Sequence, residues 1–335
     1  MKALILNSTG PVEDRRLELV DRPIPRPGGR EILVRVSACG VCHTELDEIE
    51  GRLPARLPIV PGHQIVGRVE RAGGSASRFA LGDRVGIAWI NWACGRCDLC
   101  LAGQENLCLE ARWTGKDVDG GYAEYALVPE AFAYPIPDRF SDTEAAPLLC
   151  AGVIGYRALR LSGLADGRTL ALFGFGASAH IVIQIVKHRY PGSKILVFTR
   201  SEQHRDLARA LGADWAGSAA DPAPSRFDCA IDFTPVGSTV RDALAGLRPG
   251  GRLVINVIRK RDPVPALDYA AHLWHEKEVK SVANVTRRDA EEFLPLAAEI
   301  PIMPEVQVFG LEEANDALVR LKQGALRAAA VLRVG

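Results

Sequence analysis

Four cysteines stand close together in this chain, Cys94, Cys97, Cys100 and Cys108, spaced C-x2-C-x2-C-x7-C. Four thiolates from one short loop can close a tetrahedral shell around zinc and leave no open position, the donor set of a structural site. An iron–sulfur cluster asks for similar ligands. The ferredoxin run, however, ends in a C-x3-C-P step, and here seven residues intervene. Three further candidates are dispersed: Cys42 in CGVCHTE, His63 in PGHQIVG and Cys150 in LLCAG. Two thiolates and an imidazole would leave a fourth position for water or substrate, as a catalytic zinc requires. Spacing alone does not assemble these three. Taken singly, His63 reads as a satisfied core histidine and Cys150 as a small buried hydrophobe.

A third pattern is Gly174-Phe175-Gly176-Ala177-Ser178-Ala179, set between an apolar run and a helical one. In G-x-G-x-x-A the glycines allow a tight turn and close approach of a pyrophosphate to a helix N-terminus. The next apolar run ends in Val197-Phe198-Thr199-Arg200, with Glu202 the nearest acid. An acid at this place would accept from both ribose hydroxyls of NAD. Thr199 beside the Arg200 guanidinium suits a 2′-phosphate, so NADP(H) is slightly favoured over NAD(H).

Two kinds of element must position these groups. Up to Cys150 the chain is rich in Gly, Pro and short Val/Ile runs (ILVRVSACGVC, VPGHQIVGRVE, DRVGIAW), the pattern of a β-barrel-like unit. From Ala151 strands alternate with helices: LALF then HIVIQIVKHRY, KILVFTR then SEQHRDLARALGA, FDCAIDFT then STVRDALAGLRPGG, then RLVINVI. Such alternation predicts a parallel sheet with right-handed crossovers. The last fifty or so residues are mixed, with two amphipathic helices (RRDAEEFLPLAAEI, LEEANDALVRLKQG) and a closing strand AAAVLRV. The fold class expected is α/β plus β, with residues 1–150, 151–284 and a 285–335 segment returning to the first domain.

A chain of 335 residues allows about two domains. Lys plus Arg and Asp plus Glu are 41 each, so the balance is neutral and carries no basic excess for a nucleic acid. The longest mostly apolar stretch, Leu170 to Val186, is broken by Gly174, Gly176, His180 and Gln184, against a membrane span. No export signal is read at MKALILNSTG, so the expected compartment is the reducing cytoplasm, where clustered cysteines bind metal rather than pair.

With the four-cysteine loop, GHQ, LLCAG and GFGASA in this order, the sequence resembles the zinc-dependent medium-chain alcohol dehydrogenases. The resemblance covers essentially the whole chain. It implies a GroES-like barrel catalytic domain with a Rossmann doubly wound parallel-sheet domain. It implies two zinc ions per chain, one catalytic on Cys42, His63 and Cys150, and one structural on Cys94, Cys97, Cys100 and Cys108. Thr44 matches the hydroxyl that takes the alcohol proton, and His43 the basic position facing the cofactor pyrophosphate. Glu45 stands for the carboxylate that orients the histidine ligand. Trp89 matches the aromatic that lines the substrate pocket, and its bulk favours primary alcohols and aldehydes, while Leu53 and other small lining residues would widen the pocket toward bulky or aromatic substrates. A homo-oligomer, dimer or tetramer, is implied as well. The same residues also fit a relative acting on a polyol or aryl alcohol, or one that has lost turnover.

Two positions depart from the family pattern. Gln64 replaces the Glu that commonly follows the histidine ligand, which removes one negative charge from around the metal. The pH–rate profile is therefore expected to lie lower than that of Gln64→Glu; an unmoved or oppositely shifted profile contradicts this. Asp47 stands where many relatives carry a relay histidine, and an ordinary carboxylate is a poor base near neutrality, so hand-off to solvent is expected. Cys39 and Cys229 read as structural thiols, and His180 as a helix-surface residue.

Overall fold

In the strand Glu31–Val41 nearly every side chain but Arg35 is drawn inward: Ile32, Leu33, Val34, Val36, Ala38 and Cys39 are buried. A strand buried on both faces belongs at the centre of its sheet. The computed structural model, which describes residues 1–300, 302, 304–326 and 328–335, places it there. Its neighbours are Ile65–Ala72, Tyr125–Pro129 and Ala329–Arg333, all antiparallel to it. Register shifts between Leu33 and Val34 and between Val36 and Ala38 bend and twist the strand. Its first half thereby pairs with Tyr125–Pro129, and its end, Ala38 to Val41, with Ala329–Arg333. The sheet continues through Arg84–Ile87 to Ala133–Pro135 on one side and to Val306–Gly310 on the other. Gly67 stands opposite Val36 on the central strand. A Cβ there would lie 2.1 Å from the Arg35 carbonyl oxygen, so only glycine fits.

These strands belong to one compact unit, made of Met1–Cys150, Thr286–Ala298 and Met303–Gly335. The second unit comprises Ala151–Val285 and Glu299–Ile302. Its sheet runs Trp215–Gly217, Lys194–Phe198, Thr169–Phe173, Phe227–Asp232, Leu247–Ile255, Glu278–Ser281, all parallel. Counted along the chain, this is the order 3-2-1-4-5-6 of the Rossmann fold. Thr169–Phe173 and Phe227–Asp232 are buried throughout, as central parallel strands are. Phe173 stacks on Phe198 at 4.5 Å between ring centroids, and Phe227 meets Phe173 edge-on at 5.9 Å. The α/β plus β expectation holds.

Differences from the sequence expectation are two unread strands and one shifted boundary. Trp215–Gly217 is three residues long and Glu278–Ser281 is exposed at every position, so neither carries an alternating or apolar signature. The fifth strand begins at Leu247 rather than Arg252 and runs through Pro249 and two glycines. Pairing with its neighbour, including a register shift, carries it across residues that read locally as a turn. Among the described residues no helix is long and apolar enough to cross a membrane.

Candidate active site

In the four-cysteine loop, Cys97 caps the short helix Asp98–Leu101 and Cys108 follows the 3-10 turn Glu105–Leu107. Gly95 and Gly103, at φ of 70° and 69°, make the reversals between them. The four sulfurs thus gather within 4.8 Å of one another, with Cys94 Sγ and Cys100 Sγ 3.9 Å apart. The Cys97 backbone N–H donates to Cys94 Sγ at 3.4 Å. Backbone N–H groups of Arg96 and Cys97 pull the Cys94 thiol down to about 7. Burial and the neighbouring thiols push Cys100 up to about 12. Sulfurs this close cannot all ionise without a cation among them, and the donor set fits a closed tetrahedral zinc site. Glu105 anchors the loop, accepting from the Arg287 backbone N–H (3.0 Å) and from its Nε (3.2 Å).

The dispersed trio also comes together: ligand atoms of Cys42, His63 and Cys150 lie within 4.8 Å of one another. Three separate elements deliver them. Cys42 directly follows the central strand and is the N-cap of the helix His43–Ile49. His63 precedes the strand Ile65–Ala72, and Cys150 lies in the π-helical turn Leu148–Gly152. Cys42 Sγ accepts from the Thr44 backbone N–H at 3.3 Å, while the Cys42 N–H donates to Glu45 Oε2 at 2.9 Å. This is a capping box with a thiol in the usual hydroxyl's place.

The other oxygen of Glu45 faces His63 Nδ1 at 2.5 Å, and both side chains are fully buried. His63 Nε2 is thereby turned toward Cys42 Sγ, 3.7 Å away. Burial alone would pull the His63 imidazole down; the charges of Glu45 and Cys42 overcome it and hold the ring well above its ordinary value. Burial likewise pushes Glu45 up, and the facing imidazole outweighs it, leaving the carboxyl below its usual range. Cys42 is raised well above an ordinary thiol by its hydrogen bond with Cys150 and by burial. An imidazole backed by a carboxylate on one nitrogen, with two thiols on the other, is the donor set a catalytic zinc takes.

Around this cluster the remaining candidates fall as follows. Thr44 is buried and His43 exposed. The Trp89 ring lies 5.7 Å from that of His63 and 5.3 Å from that of Trp113. Leu53 is half-buried, its N–H donating to the Asp47 carbonyl oxygen at 3.0 Å. Gln64 is buried, its side chain covering Gly40, and its Nε2 meets no hydrogen-bond partner among the described residues. Asp47 is buried, with Arg52 Nε donating to its Oδ1 at 2.6 Å.

One residue of this neighbourhood escaped the motif reading. Glu48 is 1% exposed, and neither carboxylate oxygen has a hydrogen-bond partner among the described residues. Its spacing of four from Thr44 and three from Glu45 would have put it on their helix face.

In the second unit Gly174 adopts φ 84°, and its N–H donates to the Phe198 carbonyl oxygen at 2.8 Å. Gly176 caps the thirteen-residue helix Ala177–Arg189, and a Cβ on it would meet nothing within 4 Å. Open space at a helix N-terminus fits a dinucleotide pyrophosphate. Ala179 is fully buried, where a small residue lets the helix pack closely. Thr199 is buried and donates its N–H to the Gly217 carbonyl oxygen at 2.8 Å, whereas the Arg200 side chain is exposed. Glu202 is ion-paired with Arg205, whose Nη1 also donates to the Thr199 and Arg200 carbonyl oxygens at 2.9 and 3.0 Å.

His180 corrects the expectation of a surface residue. Its ring packs 4.5 Å from Phe175 and 5.8 Å from His204, and burial together with His204 lowers it to about 4. Between about 4 and the ordinary 6.5 the unfolded chain binds this proton and the folded one does not. Stability is therefore expected to be lost as pH falls through that window, and His180→Leu to flatten the loss. Parallel melting curves for the two proteins against pH would contradict the assignment.

Comparisons with known proteins bear on both units. Residues 28–138 match the family model for the alcohol dehydrogenase GroES-like domain. The chain is 46% identical to a probable alcohol dehydrogenase AdhA of Mycobacterium tuberculosis, over all of this chain and 97% of the relative. A crystal structure of an NAD-dependent alcohol dehydrogenase superposes with a TM-score of 0.90 at 27% identity, covering all of both chains. A cobalt- and zinc-bound thermostable alcohol dehydrogenase from Pyrobaculum aerophilum gives 0.87 at 26% identity over 99% of each chain.

Proposed function

Because this chain belongs to the zinc-dependent medium-chain alcohol dehydrogenase family, and is an oxidoreductase, we propose that it transfers a hydride reversibly between an alcohol and NADP(H), in preference to NAD(H). Primary alcohols and their aldehydes are the favoured substrates, since the Trp89 ring takes up room beside His63. The observation that carries the reading is His63, fixed by Glu45 on one nitrogen and turned toward Cys42 on the other.

Cys42, His63 and Cys150 would hold the catalytic zinc, and Cys94, Cys97, Cys100 and Cys108 the structural one. Zinc and nicotinamide, when bound, supply a Lewis acid for the alcohol or carbonyl oxygen and an acceptor or donor of hydride. The chain's own side chains do the rest. Glu45 keeps the His63 ring oriented, and Gln64 leaves the surroundings one charge less negative than a Glu would. Thr44 takes the alcohol proton, and Trp89 with Leu53 shapes the pocket. Gly174, Gly176 and Ala179 would form the turn that takes the pyrophosphate, and His43 carries over, by motif alone, as the basic position for it. Thr199 and Arg200 suit a 2′-phosphate because Glu202, the nearest acid, is already paired with Arg205.

The edge strand Glu278–Ser281, with exposed Tyr269 and Trp274 nearby in sequence, supports assembly into a homo-oligomer.

The test is absorbance at the reduced-nicotinamide band, with NAD and NADP in parallel over primary, secondary and benzylic alcohols, each with a chelator-treated control. Chelator-sensitive turnover that is faster with NADP is expected. Binding of either cofactor without turnover of any alcohol or aldehyde would overturn the proposal.

A further inference from the structure

We infer that Glu48, rather than Asp47, accepts the proton that leaves the alcohol through Thr44; this rests on the dehydrogenase reading above. Thr44 and Glu48 are four residues apart on the helix His43–Ile49, so they share one face with Cβ atoms about 5–6 Å apart. Glu48 makes no direct hydrogen bond to the Thr44 hydroxyl, so the transfer between them runs through one bridging water. Thr44 and Glu48 are 3% and 1% exposed, so the path between them is screened from bulk solvent.

The two candidate carboxylates differ in what they already hold. Asp47 accepts from Arg52 Nε at 2.6 Å, so that oxygen is already engaged by a guanidinium. Both oxygens of Glu48 are buried without a hydrogen-bond partner among the described residues, so its accepting capacity is uncommitted. A buried carboxyl in that state is costly and calls for a task or a transient partner.

The groups around Glu48 favour the same role. Burial pushes its carboxyl well above the ordinary carboxylate range. Glu45 on its own helix and Asp117 push the same way, while His63 and Lys116 pull it back. The buried Tyr122 hydroxyl feels its charge as well. A carboxylate raised above its ordinary range is a more effective base than an ordinary one.

The step balances simply. The alcohol O–H proton passes to Thr44 Oγ1 as the Thr44 hydroxyl proton passes to the bridging water and one proton of that water to a Glu48 oxygen, and the carbon-bound hydrogen leaves with its electron pair to the oxidised cofactor. The alcohol is oxidised, the nicotinamide reduced, and Glu48 then releases one proton to solvent. Carbonyl reduction runs the same transfers backwards.

The experiment compares zinc-loaded wild type, Glu48→Gln and Glu48→Asp on the alcohol that wild type oxidises best, following kcat and its solvent deuterium isotope effect against pH. Wild type is expected to lose activity in acid as Glu48 protonates. Glu48→Gln should lose that acid limb and turn over about 100-fold more slowly. Glu48→Asp should keep the limb, displaced in pH. Circular dichroism and zinc content verify that each variant is folded and loaded. A Glu48→Gln enzyme with an unchanged limb and a rate within about threefold of wild type overturns the inference. Should Glu48→Gln not fold, an undisplaced limb in Glu48→Asp overturns it instead. A wild type that oxidises no alcohol fails the dehydrogenase reading itself, which is a separate and visible outcome.

Discussion

Thr44→Ala is expected to reduce alcohol oxidation by roughly 10²–10⁴-fold, the usual worth of a positioned proton-transfer group. The substitution is structurally quiet, which makes the loss interpretable. What ties Thr44 to the site is its backbone N–H, which donates to Cys42 Sγ at 3.3 Å and which alanine retains. Alanine also has the higher helix propensity in the helix His43–Ile49. Zinc content and cofactor affinity should therefore match wild type, and Thr44→Ser should recover most of the rate. Stopped-flow hydride transfer with equilibrium cofactor titration separates the two effects. An alanine variant that keeps a large part of the wild-type rate would remove Thr44 from the proton path.

Glu45→Ala is expected to act on both metal and fold. The carboxylate is fully buried and serves two partners, the Cys42 N–H at 2.9 Å and His63 Nδ1 at 2.5 Å. Removing one member of a buried ion pair costs about 3–5 kcal/mol, because the remaining group keeps its desolvation penalty. Denaturant unfolding of the metal-free protein reads this directly. Carboxylates that hold a ligating histidine typically account for 10–100-fold in metal affinity, so a chelator competition should show a loss of about that size. Glu45→Gln retains an acceptor for the Cys42 N–H and should fall between. Unfolding curves within about 1 kcal/mol of wild type would mean that the pair is not structural.

How legible the site was depended on whether its residues were neighbours in sequence. Cys94, Cys97, Cys100 and Cys108 could be read because one loop carries all four, and chain geometry does the gathering. Cys42, His63 and Cys150 come from a strand end, the approach to a second strand and a π-helical turn. Tertiary structure alone unites them, so only family resemblance could propose the set. The parallel sheet was legible from its apolar runs, but its third and sixth strands were not, since length and exposure hide them. Burial was the least legible property. Nothing in a string of letters tells Asp47, paired with Arg52, from Glu48, buried without a partner one residue later. Helical spacing puts Glu48 on the Thr44 face, yet its isolation follows only from what packs around it.

The closing strand Ala329–Arg333 has a consequence for how this protein is made. It lies against Ala38 to Val41, the stretch that leads into Cys42, and Val306–Gly310 pairs outside it. On a ribosome the central strand is synthesised some three hundred residues before its partner. Until then the nascent chain presents an unpaired edge of apolar backbone, the kind of surface that seeks other chains. The Rossmann sheet, contiguous from Thr169 to Ser281, is complete while the first sheet still waits. Emergence of Ala329–Arg333, rather than of Cys150, the last of the proposed catalytic-zinc ligands, therefore sets when that cluster acquires its lasting frame. Deleting Ala329–Arg333 would reopen that edge in the folded protein.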